Sequence, residues 1–164
     1  MRKQIFLFIW AISVFILGNA QTGTKSTKFW FGFMENLTLD FNGPPSFTVI
    51  VSADELTTFR IFLPQTGLDL HYTIGGGDTR EIKLPDGVFY GKGCDVTTNF
   101  GFCVESQKPI SVKVFHNRAY FSDASIVLPA SMLGTKYSVL TRKDANAVYR
   151  NPNSFVIVAT EDKT

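Results

Sequence analysis

The chain has 164 residues, of which 45% are hydrophobic, and its 16 Lys and Arg stand against 14 Asp and Glu. This size and charge balance exclude a strongly basic nucleic-acid binder, an acidic disordered tail and a large multidomain enzyme. The 16 Phe, against 2 Trp and 5 Tyr, favour a β-rich core over a helical bundle.

Residues 1–20 have the pattern of a secretory signal peptide. Arg2 and Lys3 form a positive start, Ile5–Gly18 is apolar apart from one serine, and small residues precede a cleavage point after Ala20. The apolar run is shorter than the roughly 20 residues of a membrane-spanning helix, so we expect no transmembrane segment in the mature chain. Removal of 20 residues from 164 leaves 144 and brings the formal net charge to zero. We expect export through the general secretory route to the cell surface or the medium, and no nucleic-acid partner.

The mature region, 21–164, alternates short β patterns with turn signals. Phe29, Phe31 and Phe33 recur at every second position, which places them on one face of a strand. The later patterns are runs of β-branched and apolar residues bounded by Gly, Pro, Asn or Asp. The predicted strands are Phe29–Met34, Ser46–Val51, Thr58–Leu63, Leu70–Ile74, Arg80–Leu84, Phe102–Val104, Ile110–Phe115, Ala124–Leu128, Tyr137–Thr141 and Ser154–Ala159.

The turns between these strands indicate how they connect. Asp54 and Glu55 mark one turn and Gly75–Asp78 another, and each predicts a hairpin between the strands on either side of it. Pro129–Gly134 predicts a short helical turn. Many short strands with regular turns predict an all-β fold, an antiparallel β-sandwich-like domain over residues 21–164.

One strand pattern recurs at the end of the chain. Ser46–Thr57 matches Ser154–Thr164 at six identical positions once Thr48 is skipped. Either strands of this composition simply look alike, or a strand and its acidic turn are used twice. The first copy is followed by a turn and a strand that runs back, whereas the sequence ends where the corresponding strand after the second copy should begin. The sequence therefore predicts a truncated piece of a longer protein, or a last strand that completes a sheet without its own hairpin partner.

The two cysteines, Cys94 and Cys103, predict a disulfide in an exported chain. The closed loop has about 10 residues, for which the chain-entropy model gives roughly 2.5 to 3 kcal/mol of stabilisation. A redox or metal pair is the alternative, but the spacing matches neither CxxC nor a zinc pattern.

Catalytic patterns are missing from the sequence. There is no GxSxG or HExxH motif, and His71 and His116 both lie inside predicted strands. The acidic pairs Asp54–Glu55 and Glu161–Asp162 follow strands, where carboxylates usually cap turn amides, and they lack the Asp-x-Asp spacing of a calcium loop. We expect no enzyme activity, no catalytic residue, no metal site and no cofactor.

The densest polar group next to aromatic residues is a candidate binding edge made of His116, Asn117, Arg118, Tyr120 and Asp123. Hydrogen-bonding groups beside an aromatic ring suit recognition of a sugar or a peptide. The structural alternative is that Arg118 and Asp123 pair and fix a tight connection. Asn36 begins a glycosylation sequon, which matters only in a host that glycosylates exported Asn.

Four stretches in order resemble the domain family named after the N-terminal region of the IgGFc-binding protein. They are Thr27–Asn36, Lys108–Val112 with Phe115–Arg118, Ser122–Pro129 with Leu133–Tyr137, and Phe155–Asp162. The resemblance implies a secreted or cell-surface β-rich domain used in adhesion, and a domain that continues past residue 164. Immunoglobulin binding is not carried over, because no matching residue motif supports it, and Cys94 and Cys103 depart from the family pattern.

The expected function is an exported, non-catalytic binding or adhesion module that contacts an extracellular protein or glycan at the cell surface. The alternative is an accessory domain or structural spacer of a larger secreted enzyme or surface protein. The sequence that follows residue 164 in the source reading frame would discriminate between them.

Overall fold

The computed structural model describes residues 23–35, 43–64, 66–87, 90–91, 93, 95–119, 121–140 and 155–161. The predicted signal peptide, residues 1–20, lies outside these ranges. The strands are β1 (Ser26–Phe31), β2 (Ser46–Ala53), β3 (Thr57–Leu63), β4 (Leu68–Ile74), β5 (Thr79–Lys83), β6 (Phe102–Arg118) and β7 (Phe121–Ile126). They join in one antiparallel sheet that curls into a half-barrel. The all-β prediction is confirmed, and the stacked sheets of a sandwich are not confirmed.

Strand β6 is the axis of this sheet and pairs with four other strands along its 17 residues. Its first part lies between β1 and β3, and its last part lies between β2 and β7. The sequence predicts two separate strands here, Phe102–Val104 and Ile110–Phe115, with a break between them. The break is instead the point at which the partner of β6 changes from β3 to β2, where the missing proline N–H costs no ladder hydrogen bond.

The strand partners differ from the two predicted hairpins, which are wrong. Strand β2 pairs with β5, and β3 pairs with β4. The chain reverses between β3 and β4, where Gly67 has a φ of 80° and Thr66 Oγ1 donates to Leu63 O at 2.9 Å. Alternating side chains determine which face of a strand is buried, but they do not determine its partner.

Three short segments lie side by side between the two halves of the sheet, and together we call them the bend. They are Asp54–Leu56, Gly75–Asp78 and Gln107–Pro109. Gly77 N donates to Ala53 O at 2.8 Å, and Lys108 N donates to Thr57 Oγ1 at 3.0 Å. These bonds hold the three segments together where regular pairing stops.

The core fills the inner, concave face of the curled sheet. Strand β2 alternates half-buried and buried residues along its whole length, as a one-sided strand should. Phe29, Phe31 and Phe33 are all buried, which confirms their predicted shared face. The rings of Phe31 and Phe102 stack with centroids 5.4 Å apart. Six phenylalanines of the described residues lie in this core.

The C-terminal part of the chain differs from the predicted strands. Residues 137–140 and 155–159 are not strands, so both predictions fail over the described positions. The predicted helical turn is confirmed as a 3₁₀ turn at Ala130–Met132. Over its described residues, 155–161, the second copy of the repeat therefore has no strand pairing, whereas the first copy forms β2.

Candidate binding surface

The outer, convex face of the sheet carries a row of ionisable residues across four strands. Register places Lys28 of β1 opposite Glu105 of β6, Glu105 opposite Arg60 of β3, and Arg60 opposite His71 of β4. Directly opposed residues share a face and lie close enough for side-chain contact. We call these four residues, with Asp69, the Arg60 network.

Arg60 is the centre of this network. Its Nε and Nη2 donate to Glu105 Oε2 at 3.2 and 2.7 Å, and its Nη1 lies 3.5 Å from Asp69 Oδ2. The second oxygen of Glu105 lies 3.1 Å from Lys28 Nζ, and Asp69 Oδ1 lies 3.2 Å from His71 Nε2. Each carboxylate therefore bridges two neighbours and is held in one orientation.

The pKa values follow from these contacts. The hydrogen bonds from Arg60 lower the pKa of Glu105, against the opposing effect of its partial burial, and Lys28 adds to the lowering. The same contact with Glu105 raises the pKa of Arg60. Both groups are therefore charged at neutral pH and form a stable pair at the surface.

A second row of residues on the outer face adjoins the charged one. Trp30, Cys103 and Phe62 are opposed across β1, β6 and β3. The Arg60 guanidinium lies 4.2 Å from the centroid of the Phe62 ring, and Lys28 Nζ lies 5.8 Å from that of Trp30. The cations therefore extend over aromatic rings, which adds to the order of the surface.

Cys103 in this row is fully buried and forms no disulfide with another described residue. Burial raises its pKa to about 12. Its predicted disulfide partner, Cys94, lies outside the described residues, so the disulfide stays a prediction.

An open cavity of about 560 Å³ lies beside the Arg60 network. It is lined by outer-face residues of β3, β4 and β6 and by the residues between them, namely Thr58, Phe59, Arg60, His71, Tyr72, Thr73, Glu105, Ser106 and Gln107. The volume is within the range of about 300–1,000 Å³ typical of small-ligand sites. This cavity is a candidate binding site in the described part of the chain.

The predicted binding edge is not gathered on one surface. His116 is buried against Phe47 on the inner face, whereas the exposed Asn117 accepts a hydrogen bond from Ser122 Oγ at 2.7 Å on its side-chain oxygen. Arg118 Nε donates to Gly43 O at 2.9 Å and so anchors the segment before β2.

Of the remaining two residues of that edge, the structure describes Asp123. Asp123 of β7 lies opposite His116 of β6 and is exposed. Tyr120 and the sequon residue Asn36 lie outside the described residues.

The other polar groups singled out from the sequence lie in different places. Asp54 pairs with Lys25, and Glu55 pairs with Lys108 at 2.7 Å, so this acidic pair belongs to the bend. Glu161 is exposed, and Asp162 lies outside the described ranges. Within those ranges, no group of three or more His, Cys, Asp or Glu side chains is arranged to hold a metal ion. No helix among the described residues is long and apolar enough to cross a membrane.

Sequence reasoning missed the Arg60 network. Arg60 and Glu105 are polar residues within apolar strands, which marks them as outward-facing but not as neighbours. They are 45 positions apart, and only the pairing of β3 with β6 brings them together. The available signal in the sequence was that several strands each carry an outward-facing charged residue, positive on some strands and negative on others.

Comparisons with known proteins identify no family. No protein-family model matches the chain, and no curated protein matches it. The chain is similar to one solved structure, titled "Crystal Structure of Thermotoga maritima 1070", with 14% identity and a TM-score of 0.43 over 64% of this chain and 95% of that one. So distant a likeness carries no argument about function. The resemblance to the N-terminal family of the IgGFc-binding protein stays a prediction.

Proposed function

We propose that this chain is an exported, non-catalytic recognition module that binds an extracellular ligand, protein or glycan, through the outer face around Arg60. The observation that carries the proposal is the open cavity beside the Arg60 network. Its charged side chains Arg60 and Glu105 stand on the paired strands β3 and β6 and hold each other in place, so these two need little ordering when a ligand binds. Export rests on the signal-peptide pattern of residues 1–20.

The charged groups beside the cavity support recognition rather than chemistry. Arg60 and Glu105 neutralise each other at 2.7 Å, and His71 is exposed on the same face. Because Arg60 and Glu105 hold each other in an ion pair, neither is free to exchange a proton with a ligand.

The test uses the product that is exported when the full chain is expressed. We expect this product to begin at Gln21 and to bind at least one ligand on arrays of extracellular glycans and matrix proteins. Arg60→Ala should weaken that binding about tenfold or more, equal to about 1.4 kcal/mol. The variant removes the centre of the network and frees both carboxylates.

The control is Lys83→Ala, which removes the same charge from exposed β5 and should change affinity less than about twofold. Equal loss in the two variants would show a nonspecific charge effect, and an unchanged Arg60→Ala variant would place the site elsewhere. Binding to no arrayed ligand would contradict a recognition role.

A further inference from the structure

Three polar side chains of the cavity have unused hydrogen-bonding capacity. In the described part of the chain, no hydrogen bond engages the hydroxyls of Thr58 and Thr73 or the amide of Gln107. Thr58 and Thr73 are directly opposed across β3 and β4, and Gln107 follows Glu105 by two positions on the outer side of β6. A hydroxyl and a carboxamide can each donate and accept. The cavity therefore offers adjacent groups of both kinds.

The charged groups beside the cavity are balanced. Lys28 and Arg60 are matched by Asp69 and Glu105, with contacts between 2.7 and 3.5 Å. An anionic ligand would have to compete with carboxylates that already engage Arg60 on three nitrogens. A cationic ligand would face the same competition for the carboxylates. The charge pattern thus favours a neutral ligand.

The position of the cavity argues against an extended peptide. Peptides that bind sheets usually add a strand to a free edge through backbone hydrogen bonds. This cavity instead lies over β6, β3 and β4, and β3 is already paired on both sides. Over the paired strands β3 and β6 the cavity offers side chains, and the free edge of β4 lies at its margin.

From these observations we infer that the cavity beside Arg60 binds a neutral, hydroxyl-rich oligosaccharide. The inference rests on the proposed function and names its ligand class. Saccharide hydroxyls donate and accept as the side chains of Thr58, Thr73 and Gln107 do, and the ion pairs supply fixed donors and acceptors at the rim.

The test compares neutral glycans with sialylated and sulfated ones, and mucin with the same mucin after enzymatic deglycosylation. We expect the exported protein to bind neutral glycans and intact mucin. Affinity should change less than about twofold between 50 and 500 mM NaCl, since salt screens ionic contacts and leaves neutral hydrogen bonds nearly unaffected.

The variants address the three free side chains. The double variant Thr58→Val, Thr73→Val removes both hydroxyls, keeps β-branched side chains and should weaken glycan binding about tenfold or more. Thr48→Val, on the outer face of β2, is the matched control and should bind like the unaltered protein. Gln107→Ala, at the exposed bend, gives an independent second variant and should also weaken binding.

The outcomes separate the two proposals. Preference for sialylated or sulfated glycans, strong salt dependence, or full affinity in both cavity variants would overturn the neutral-saccharide inference. If the protein bound deglycosylated mucin as well as intact mucin, and Arg60→Ala abolished this binding, the neutral-saccharide inference would also be overturned. The recognition role would remain intact. If the unaltered protein bound none of the tested ligands, both proposals would be overturned.

Discussion

His116 is 7% exposed and packs between aromatic rings of the inner face. Its ring centroid lies 4.5 Å from that of Phe47 and 6.3 Å from that of Phe33. Within the described residues its Nε2 has no hydrogen-bond partner. Burial lowers the pKa of His116 below its ordinary value of 6.5, Asp123 opposes this, and Arg118 adds to it. The folded chain thus favours the neutral imidazole.

This environment predicts a pH dependence of stability. The unfolded chain takes up a proton on this histidine as the pH falls through about 6.5, whereas the folded chain resists it until the lower folded pKa. The free energy of unfolding should therefore decrease as the pH falls from about 7.5 to about 5.5. His116→Phe should flatten that slope, as measured by urea unfolding at several pH values.

The same substitution tests the packing. Phe removes an unpaired ring nitrogen whose burial costs about 1–3 kcal/mol, which offsets the strain of a slightly larger ring. We therefore expect His116→Phe to be at least as stable as the unaltered protein at about pH 7.5. Parallel pH profiles for the two proteins would show that another group causes the acid sensitivity.

At the scale of elements, the segment at residues 155–161 has no strand pairing but still contacts the sheet. A Cβ added to Gly32 would lie 3.0 Å from Val158 Cγ2, and one added to Gly101 would lie 3.1 Å from Val158 Cγ1. Neither glycine has a positive φ, so their importance is space and not backbone conformation. Val158 thus occupies a notch that two glycines leave beside β1 and β6.

This notch predicts a specific steric coupling. The double variant Gly32→Ala, Gly101→Ala should lower the free energy of unfolding by about 1–3 kcal/mol, because two methyl groups crowd Val158. Adding Val158→Ala should recover much of that loss, as a double-mutant cycle in urea would measure.

The control for the notch is Gly134→Ala, whose added Cβ would meet no atom closer than 3.8 Å. It should have little effect. Strictly additive losses for the glycine and valine substitutions would mean that the segment does not pack against these glycines.

At the scale of the whole molecule, the bend divides one sheet into two halves. Strands β2 and β3 follow each other in one direction along β6. Strand β4 returns beside β3, and β5 returns beside β2. The bend therefore separates β3 and β4 from β2 and β5. Lys25 and Lys108 pair with Asp54 and Glu55 there. The half of the sheet formed by β1, β3, β4 and the first part of β6 carries the Arg60 network. The cavity therefore lies on this half, next to the bend.

The backbone of Gly76 lies close to that of Asp54 and Glu55 at the bend, which predicts that replacing Gly76 lowers the stability of the fold. An added Cβ would lie 2.8 Å from Asp54 O and 3.2 Å from the Glu55 Cα, and neither backbone group can rotate away. Gly76→Ala should therefore cost about 1–3 kcal/mol in the free energy of unfolding, measured by urea denaturation.

Gly75→Ala is the matched control. Its added Cβ would meet the carboxylate of Asp78, which is the movable end of a side chain, so the loss should be clearly smaller. Equal losses at the two neighbouring glycines would argue against a tight backbone contact at Gly76.

The sequence by itself determined the fold class and the buried faces, because alternation with period two is a local property of each strand. Phe29, Phe31 and Phe33 illustrate this. The short turn at Ala130–Met132 was also local, because a proline before it and a glycine after it predict it. Only the tertiary structure decided that β2 pairs with β5, that β6 is one strand, and that Glu105 meets Arg60. Partner and register depend on contacts between residues far apart in the chain, which no local pattern encodes. The candidate site consists of such contacts, and it therefore became visible only in the folded sheet.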